Sequence, residues 1–465
     1  MKRKILVLAL LSTLFISLAS CHGKKYIPNF VCPDTFDDTQ EYNITFWAKN
    51  DSNPTQRRIF EAAIASFNEH YPNIHVEISH YSSYPDLYQA VLQNVATGTT
   101  PNVAICYPDH VATYLENPTL VVELDELMNN TSFGLGGSEL KFDGAKEEDF
   151  VQQYIQEGYI KSEGLNKLYT LPFMRSTECL YVNKTYLEDN GFEIPKNNIF
   201  SWDYVWEICR YAYEDSKSMI PLIYKSSDNF FIQLCKQYGY SYTTDDGDIL
   251  FSSENTKKMI MDLNGLYKEN LFVTWQNTGY YPGDKFNGGT TIFGIDSSAG
   301  STWIGPSSPL GALGNKDFEV LVTTIPQVDV NNPVVISQGP SLCVFNKENQ
   351  QEVLASWIFM QYLLTDEVQV NFAKTEGYSP VTDTAIYSSE FQAFLNAPET
   401  YSVQRDAILN VIEYRDKTFI TPAFNGSALV RGNVGDLLDK ATKSKKKDID
   451  VDDLFAKALL DSGVQ

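Results

Sequence analysis

Short polar side chains set beside glycine, and a large store of aromatic rings, are the residues of this chain with the most chemistry to offer. Asp296-Ser297-Ser298-Ala299-Gly300-Ser301 is a turn of the kind that opens a helix. It either presents free N–H groups to an anion or caps the helix with its own hydroxyls. Aromatic residues make up 13% of the chain, with 28 tyrosines and 6 tryptophans, enough to supply flat faces for the C–H surface of a sugar. Covalent catalysis is poorly provided for. A nucleophile elbow reads G-x-S-x-G, and Gly339-Pro340-Ser341-Leu342-Cys343 fails at its last position. All five histidines lie at or before His110, so nothing downstream supplies an imidazole base. The 59 acidic residues always contain carboxylate pairs, which leaves an extracellular carbohydrate-active hydrolase as the alternative class. A metal-binding transporter subunit would draw on His70, His75, His80 and His110. His75, however, shares the solvent phase with Glu77 on a strand whose Ile74, Val76 and Ile78 face inward. No metal and no cofactor is expected.

The elements that must position these residues alternate between strand and helix. Asn43 to Trp47 reads as a strand, Arg57 to Glu69 as a helix and Ile74 to Ile78 as a second strand. A helix over about Tyr84 to Ala96 then leads to the apolar strand Val103 to Cys106. Further on, Leu168 to Pro172, Cys179 to Val182, Val334 to Ile336 and Leu342 to Phe345 read as strands. Trp202 to Tyr213 reads as a helix capped by Ser201, and Glu352 to Leu364 as an amphipathic helix. This order implies an α/β fold with mixed or parallel sheets covered on both faces.

At 465 residues, with 43% hydrophobic and 20% charged residues, the chain has room for two or three packed domains and the composition of a globular protein. Its net charge of −23 repels phosphate backbones, so nucleic acid is not an expected partner. Residues 1–20 read as a signal peptide: Lys2, Arg3 and Lys4 precede an apolar run from Ile5 to Ala19 that is shorter than the ~20 residues of a membrane span. Losing those three cations makes the mature chain more acidic still. Residues 21–40 read as a tether. Cys32, Cys106, Cys179, Cys209, Cys235 and Cys343 are scattered without a CxxC pair and read mostly as small buried residues. The run Lys443 to Lys447 reads as a solvated loop.

Leu18-Ala19-Ser20-Cys21 resembles the bacterial lipobox, which implies lipidation of Cys21 and anchoring to the cell envelope. The rest of the chain resembles the family 1 extracellular solute-binding proteins of bacterial ABC importers. The likeness runs through Ile44 to Trp47, Tyr71-Pro72-Asn73-Ile74, Thr97 to Val103, Leu180 to Lys184, Ser201-Trp202, Phe286 to Gly289 and Glu376 to Val381. It implies a two-lobed periplasmic-binding-protein fold with a ligand cleft between lobes. The expected first lobe is 41–147 plus 321–380, and the second is 148–320 plus 381–465. The function implied is capture of a sugar, a polyol or a glycerol phosphate without chemistry, and delivery to membrane permease subunits by a monomer.

Within that family the glycerol-3-phosphate-binding branch is the nearest likeness. By that resemblance Ser176, Ser297 or Ser298, Gly339, Tyr378, Tyr84 and Asp109 become candidate ligand contacts. Trp47 joins them from the opening strand, and Phe231 stands where the branch has a tryptophan. Arg431, one place out of the branch's register, would supply the cationic end, and Arg431 or Arg175 could form a charge-assisted fork on a phosphate.

Overall fold

The computed structural model describes residues 27–49, 54–162, 164–443 and 448–464. Residues 1–20, expected to be a signal peptide, Cys21 and residues 444–447 lie outside them. Among the described residues no helix is long and apolar enough to cross a membrane.

Two sheets divide the chain. The first has the order Ile74–Tyr81, Tyr42–Lys49, Val103–Cys106, Ser341–Val344, Leu171–Pro172, with its first three strands parallel. The buried faces explain the pairing. Tyr42, Ile44, Phe46 and Ala48 alternate inward, and Phe46 meets Phe60 from the helix Pro54–His70 and Phe359 from the helix Gln350–Leu363. The second sheet runs Thr418–Phe419, Val335–Gln338, Ser176–Asn183, Phe293–Ser297, Leu222–Tyr224, Phe272–Thr274, and Val320–Thr324 also pairs with Ser176–Asn183. All eight residues of Ser176–Asn183 are buried. Leu180 and Val182 enter one hydrophobic cluster, while Cys179 and Tyr181 enter another on the opposite face. A strand covered on both sides has no reason to alternate polar and apolar residues.

Local signals are read accurately where short-range physics sets them. Ser201 Oγ accepts from Tyr204 N to cap the helix Trp202–Asp215, and Gly98 ends the helix Tyr84–Thr97 in the left-handed region. The helix Gln350–Leu363 departs from expectation. Every residue from Val353 to Leu363 is buried, so it is a central helix and not an amphipathic one. Two of its buried donors share one acceptor: Trp357 Nε1 and Gln361 Nε2 both donate to the Phe133 carbonyl.

The lobe boundaries differ from those expected. Residues 150–174 pack into the first core, as Phe150, Tyr154, Leu168 and Phe173 show, whereas the strands Val320–Thr324 and Val335–Gln338 pair within the second sheet. The helices Asp383–Ile386 and Ser389–Asn396 remain with the first core through Ile386, Phe391 and Leu395. The chain therefore crosses near Arg175, at Gly339, and between Leu395 and Val403. The tether also ends earlier than expected. Phe36 lies against Tyr42 and Tyr71, Val31 N and Asp37 N donate to Gln350 and Gln351, and Asn346 Nδ2 donates to the Pro28 carbonyl, so residues from 28 on are docked to the first lobe. All six cysteines from Cys32 to Cys343 are free thiols, five of them buried.

At the crossing, three segments are stitched together. Phe173 N donates to the Pro340 carbonyl, and Arg175 and Ser379 exchange backbone bonds of 3.0 and 2.8 Å. Gly339 sits here with φ 113°, and a Cβ on it would overlap the Met174 carbonyl. We expect Gly339→Ala to lower unfolding free energy by about 2–4 kcal/mol in a urea titration, because it combines a forbidden backbone region with a backbone clash. A loss below about 0.5 kcal/mol would mean that the crossing yields freely.

Candidate functional site

The crevice between the lobes is built by strand ends. In open sheets of this kind, loops leaving the carboxyl ends of parallel strands line the ligand crevice. From the first lobe, Tyr42–Lys49 delivers Trp47 and Lys49, and Val103–Cys106 delivers Tyr107 and Asp109. Tyr84, the first residue of its helix, meets Tyr107 edge to face at 4.7 Å, and Lys49 Nζ stands 5.0 Å above the Tyr84 ring. Trp47 lies against Tyr81 with centroids 5.3 Å apart. The result is an aromatic wall with one carboxylate.

From the second lobe, Leu222–Tyr224 ends at Lys225 and leads into the helix Ser227–Tyr238, whose first turn carries Asp228 and Asn229. Arg431, on the helix Ser427–Ala441, pairs its Nε with Asp228 Oδ2 at 2.7 Å and donates from Nη2 to Asn229 Oδ1. Asn229 Nδ2 donates in turn to Glu178 Oε1 at 2.9 Å, and Tyr224 OH to Glu178 Oε2 at 2.5 Å. Lys225 Nζ pairs with Asp296 at 2.9 Å and stands over the Tyr281 ring.

Electrostatics shows that these groups face one another across the gap. Burial works against the Arg431 charge, but the carboxylates of Asp228 and Asp109 hold its pKa above the ordinary guanidinium range. Burial pushes Tyr107 up to about 12 against the opposing pull of Arg431, and it raises Tyr242 likewise. Glu178 is pushed up to about 8, chiefly by burial, with the Tyr224 and Asn229 hydrogen bonds opposing. His110, stacked on Tyr88 at 4.5 Å, is depressed by burial and stays neutral at physiological pH. The crevice can therefore offer aromatic faces and carboxylate acceptors to one small molecule, while Glu178, buried and bonded by Tyr224 and Asn229, stays behind its wall.

Of the residues selected from sequence, Trp47, Tyr84, Asp109 and Arg431 reach this crevice. Ser297 lies beside it, opposite Glu178 in register, but its Oγ accepts from Ala299 N and so caps the short 3₁₀ turn Ser298–Trp303. Ser298 is fully buried, with its Oγ accepting from Thr177 N. Ser176, Gly339 and Tyr378 belong to the lobe crossing. Ser176 is buried opposite Gln338, and Tyr378 packs at 5.7 Å on Phe372.

Phe231 is a correction: it is fully buried between Phe251 and Phe455, because the helix Ser227–Tyr238 turns that position into its core. Arg175 is another, being 1% exposed and committed to the hinge. The residues that sequence reasoning missed are Tyr107, Glu178, Asp228, Asn229 and Tyr242. Tyr107 was within reach, since it follows directly on a strand end, and Asp228 stands in the first turn of the helix that follows the strand Leu222–Tyr224. Among the described residues no cluster of three His, Cys, Asp or Glu side chains is arranged for a metal, and His75 bonds Glu41 at the surface. A separate cavity of about 250 Å³ on the second lobe, floored by Trp202, Trp206 and Phe230, is lined by none of the residues selected from sequence.

A sequence model of the bacterial extracellular solute-binding protein family matches residues 62–399. No curated protein matches the chain. Solved structures do. UgpB from Mycobacterium tuberculosis, in complex with glycerophosphocholine, is 16% identical with a TM-score of 0.68, over 90% of this chain and 97% of its own. Lmo0181 from Listeria monocytogenes, in complex with cycloalternan, is 14% identical with a TM-score of 0.68, over 92% and 100%. The GacH receptor of Streptomyces glaucescens, solved with and without acarbose, is 14% identical with a TM-score of 0.66, over 90% and 96%. At these identities the likeness is one of fold.

A raised carboxyl pKa carries a sign. Glu178 holds its proton to about pH 8 when folded and to the ordinary 4.5 when unfolded, so its contribution to stability is complete below about pH 4.5 and is lost as pH rises through 8. We expect Glu178→Gln to flatten the decline of melting temperature across that window. An unchanged slope would show that Glu178 is ionised in the folded protein.

Proposed function

The chain belongs to the bacterial extracellular solute-binding proteins, and from that membership we propose that it captures a carbohydrate-type ligand between its lobes and passes it to the permease subunits of an ABC importer. No covalent bond in the ligand changes. The observation that carries this reading is the meeting in one crevice of Trp47, Tyr84, Tyr107 and Asp109 from one lobe with Asp228, Tyr242 and Arg431 from the other. Ring faces suit the C–H faces of sugars, and carboxylates accept from their hydroxyls. The crossings at Arg175 and Gly339 provide the hinge on which the lobes close around a guest. Cycloalternan and acarbose, bound by two of the structural relatives, are ligands of this chemistry.

A glycerophosphodiester is the second reading, supported by the glycerophosphocholine complex of a third relative and by the position of Arg431 in the crevice. The pairing of Arg431 with Asp228 and Asn229 weighs against it, since that guanidinium already has acceptors. Cys21, after Leu18-Ala19-Ser20, would carry the lipid that keeps a monomeric receptor at the outer face of the membrane.

Thermal shift of the secreted chain carrying Cys21→Ser tests the ligand class. Maltose-type sugars, glycerol-3-phosphate, glycerophosphodiesters and divalent metals are compared, and a ligand at 100 times its Kd adds about 2.7 kcal/mol to native stability. We expect a neutral sugar to raise the melting temperature and Trp47→Ala to abolish the shift. Stabilisation by metal alone, or turnover of a glycoside, would overturn the reading. In labelling with radioactive palmitate, we expect incorporation into the full chain and none into Cys21→Ser; equal labelling of the two would remove the anchor.

A further inference from the structure

Arg431 sits where the lobes meet, and its surroundings are unbalanced. Its own lobe supplies Asp228 at 2.7 Å and the Asn229 amide oxygen. The helix that carries it, Ser427–Ala441, packs against the helix Pro108–Tyr114 of the first lobe, and Asp109 stands in the first turn of that helix. Asp109, Asp228 and Arg431 are each mostly buried, with side chains 19%, 27% and 26% exposed. Tyr107 from the first lobe and Tyr242 from the second both feel the same guanidinium.

Two further polar contacts bridge the lobes. Asn425 Nδ2, two residues before the Arg431 helix begins, donates to Glu116 Oε1 at 3.0 Å, and Lys161 pairs with Asp246. Both join segments of different lobes and neither belongs to the hinge.

We infer that Arg431 is a positioning residue that ties the closed lobes together, held by Asp228 in its own lobe and drawing Asp109 of the other across the gap. The inference rests on the reading that the ligand sits between the lobes, and it assigns Arg431 to closure instead of to an anionic ligand. The physical case is one of charge. With the lobes apart, Asp109 is solvated and Arg431 keeps a single carboxylate. With the lobes together, the packing of the two helices brings a second carboxylate near the guanidinium, in a partly buried place where water screens the attraction less than at an open surface. Glu178, linked to Arg431 through Asn229, has its pKa pushed up to about 8 by burial, which disfavours a third negative charge beside the guanidinium. Closure driven this way responds to salt even when the ligand is uncharged.

Small-angle scattering of the secreted chain carrying Cys21→Ser tests the tie without any ligand, so it stands apart from the sugar screen. The radius of gyration is measured at about 20 mM and about 500 mM sodium chloride, where the screening length falls severalfold. The expected result is a compact chain at low salt that expands at high salt. Asp109→Asn and Arg431→Gln are expected to be expanded already at low salt and to lose the salt response. Arg431→Lys should keep part of it, and the double variant should expand no further than either single one. Asp109 lies at the crevice surface, so Asp109→Asn keeps the test open if an Arg431 variant folds poorly, and unchanged melting curves separate closure from unfolding. Equal radii for the parent and Asp109→Asn at low salt, or additive expansion in the double variant, would overturn the tie. A screen in which no sugar binds, beside a salt-dependent radius, would remove the carbohydrate reading and leave the tie standing.

Discussion

One buried cation holds the crossing on which the two lobes turn. Arg175 is 1% exposed, and its Nε lies 3.0 Å from Glu157. Its terminal nitrogens donate to the carbonyls of Met174, Pro340 and Tyr154 and to Ser341 Oγ, and the guanidinium stands over the Tyr154 ring. A charge so deep costs several kcal/mol to desolvate, and only this full set of acceptors offsets that cost. Burial raises the Glu157 pKa while Arg175 opposes it, and Ser337 Oγ donates to the other carboxylate oxygen. Because the acceptors come from three chain segments, around Tyr154 and Glu157, at Met174 and at Pro340 and Ser341, and Glu157 also takes Ser337 of the second sheet, the guanidinium fixes where these segments lie relative to one another.

The crevice follows from that constraint. With the crossing pinned, the carboxyl ends of the parallel strands in both sheets open toward the same gap, and whatever follows each strand becomes a wall. Tyr107 and Asp109 follow one strand and Lys225 to Asn229 follow another. Two of the cations there are already engaged by carboxylates, Lys225 by Asp296 and Arg431 by Asp228, and Lys49 stands over the Tyr84 ring. A wall of aromatic faces with acids for acceptors suits a guest rich in hydroxyl groups better than an anion.

The fold was readable in large part because it is local. Strand and helix periods, the Ser201 cap and the Gly98 stop depend on neighbours a few residues away, and each appears close to where its residues predict it. The central helix Gln350–Leu363 was misjudged because burial on all sides is a property of what packs around it, including the Phe133 carbonyl more than two hundred residues away in the chain. The lobe boundaries moved for a related reason. Val320–Thr324 and Val335–Gln338 look like any strands, and only pairing with Ser176–Asn183 assigns them to the second sheet.

The candidate site divides along the same line. Residue type and motif order were sufficient for the α/β class and for the solute-binding family, and they singled out Trp47, Tyr84, Asp109 and Arg431, which fold toward the crevice. Motif likeness could not tell Phe231, turned into a core, from a ring that faces a guest, nor Arg175, spent on the hinge, from a free cation. Those distinctions depend on which acceptors and which apolar surfaces arrive from distant segments. The same side chain is a ligand contact, a core filler or a structural ion according to partners that come together only when the chain is folded.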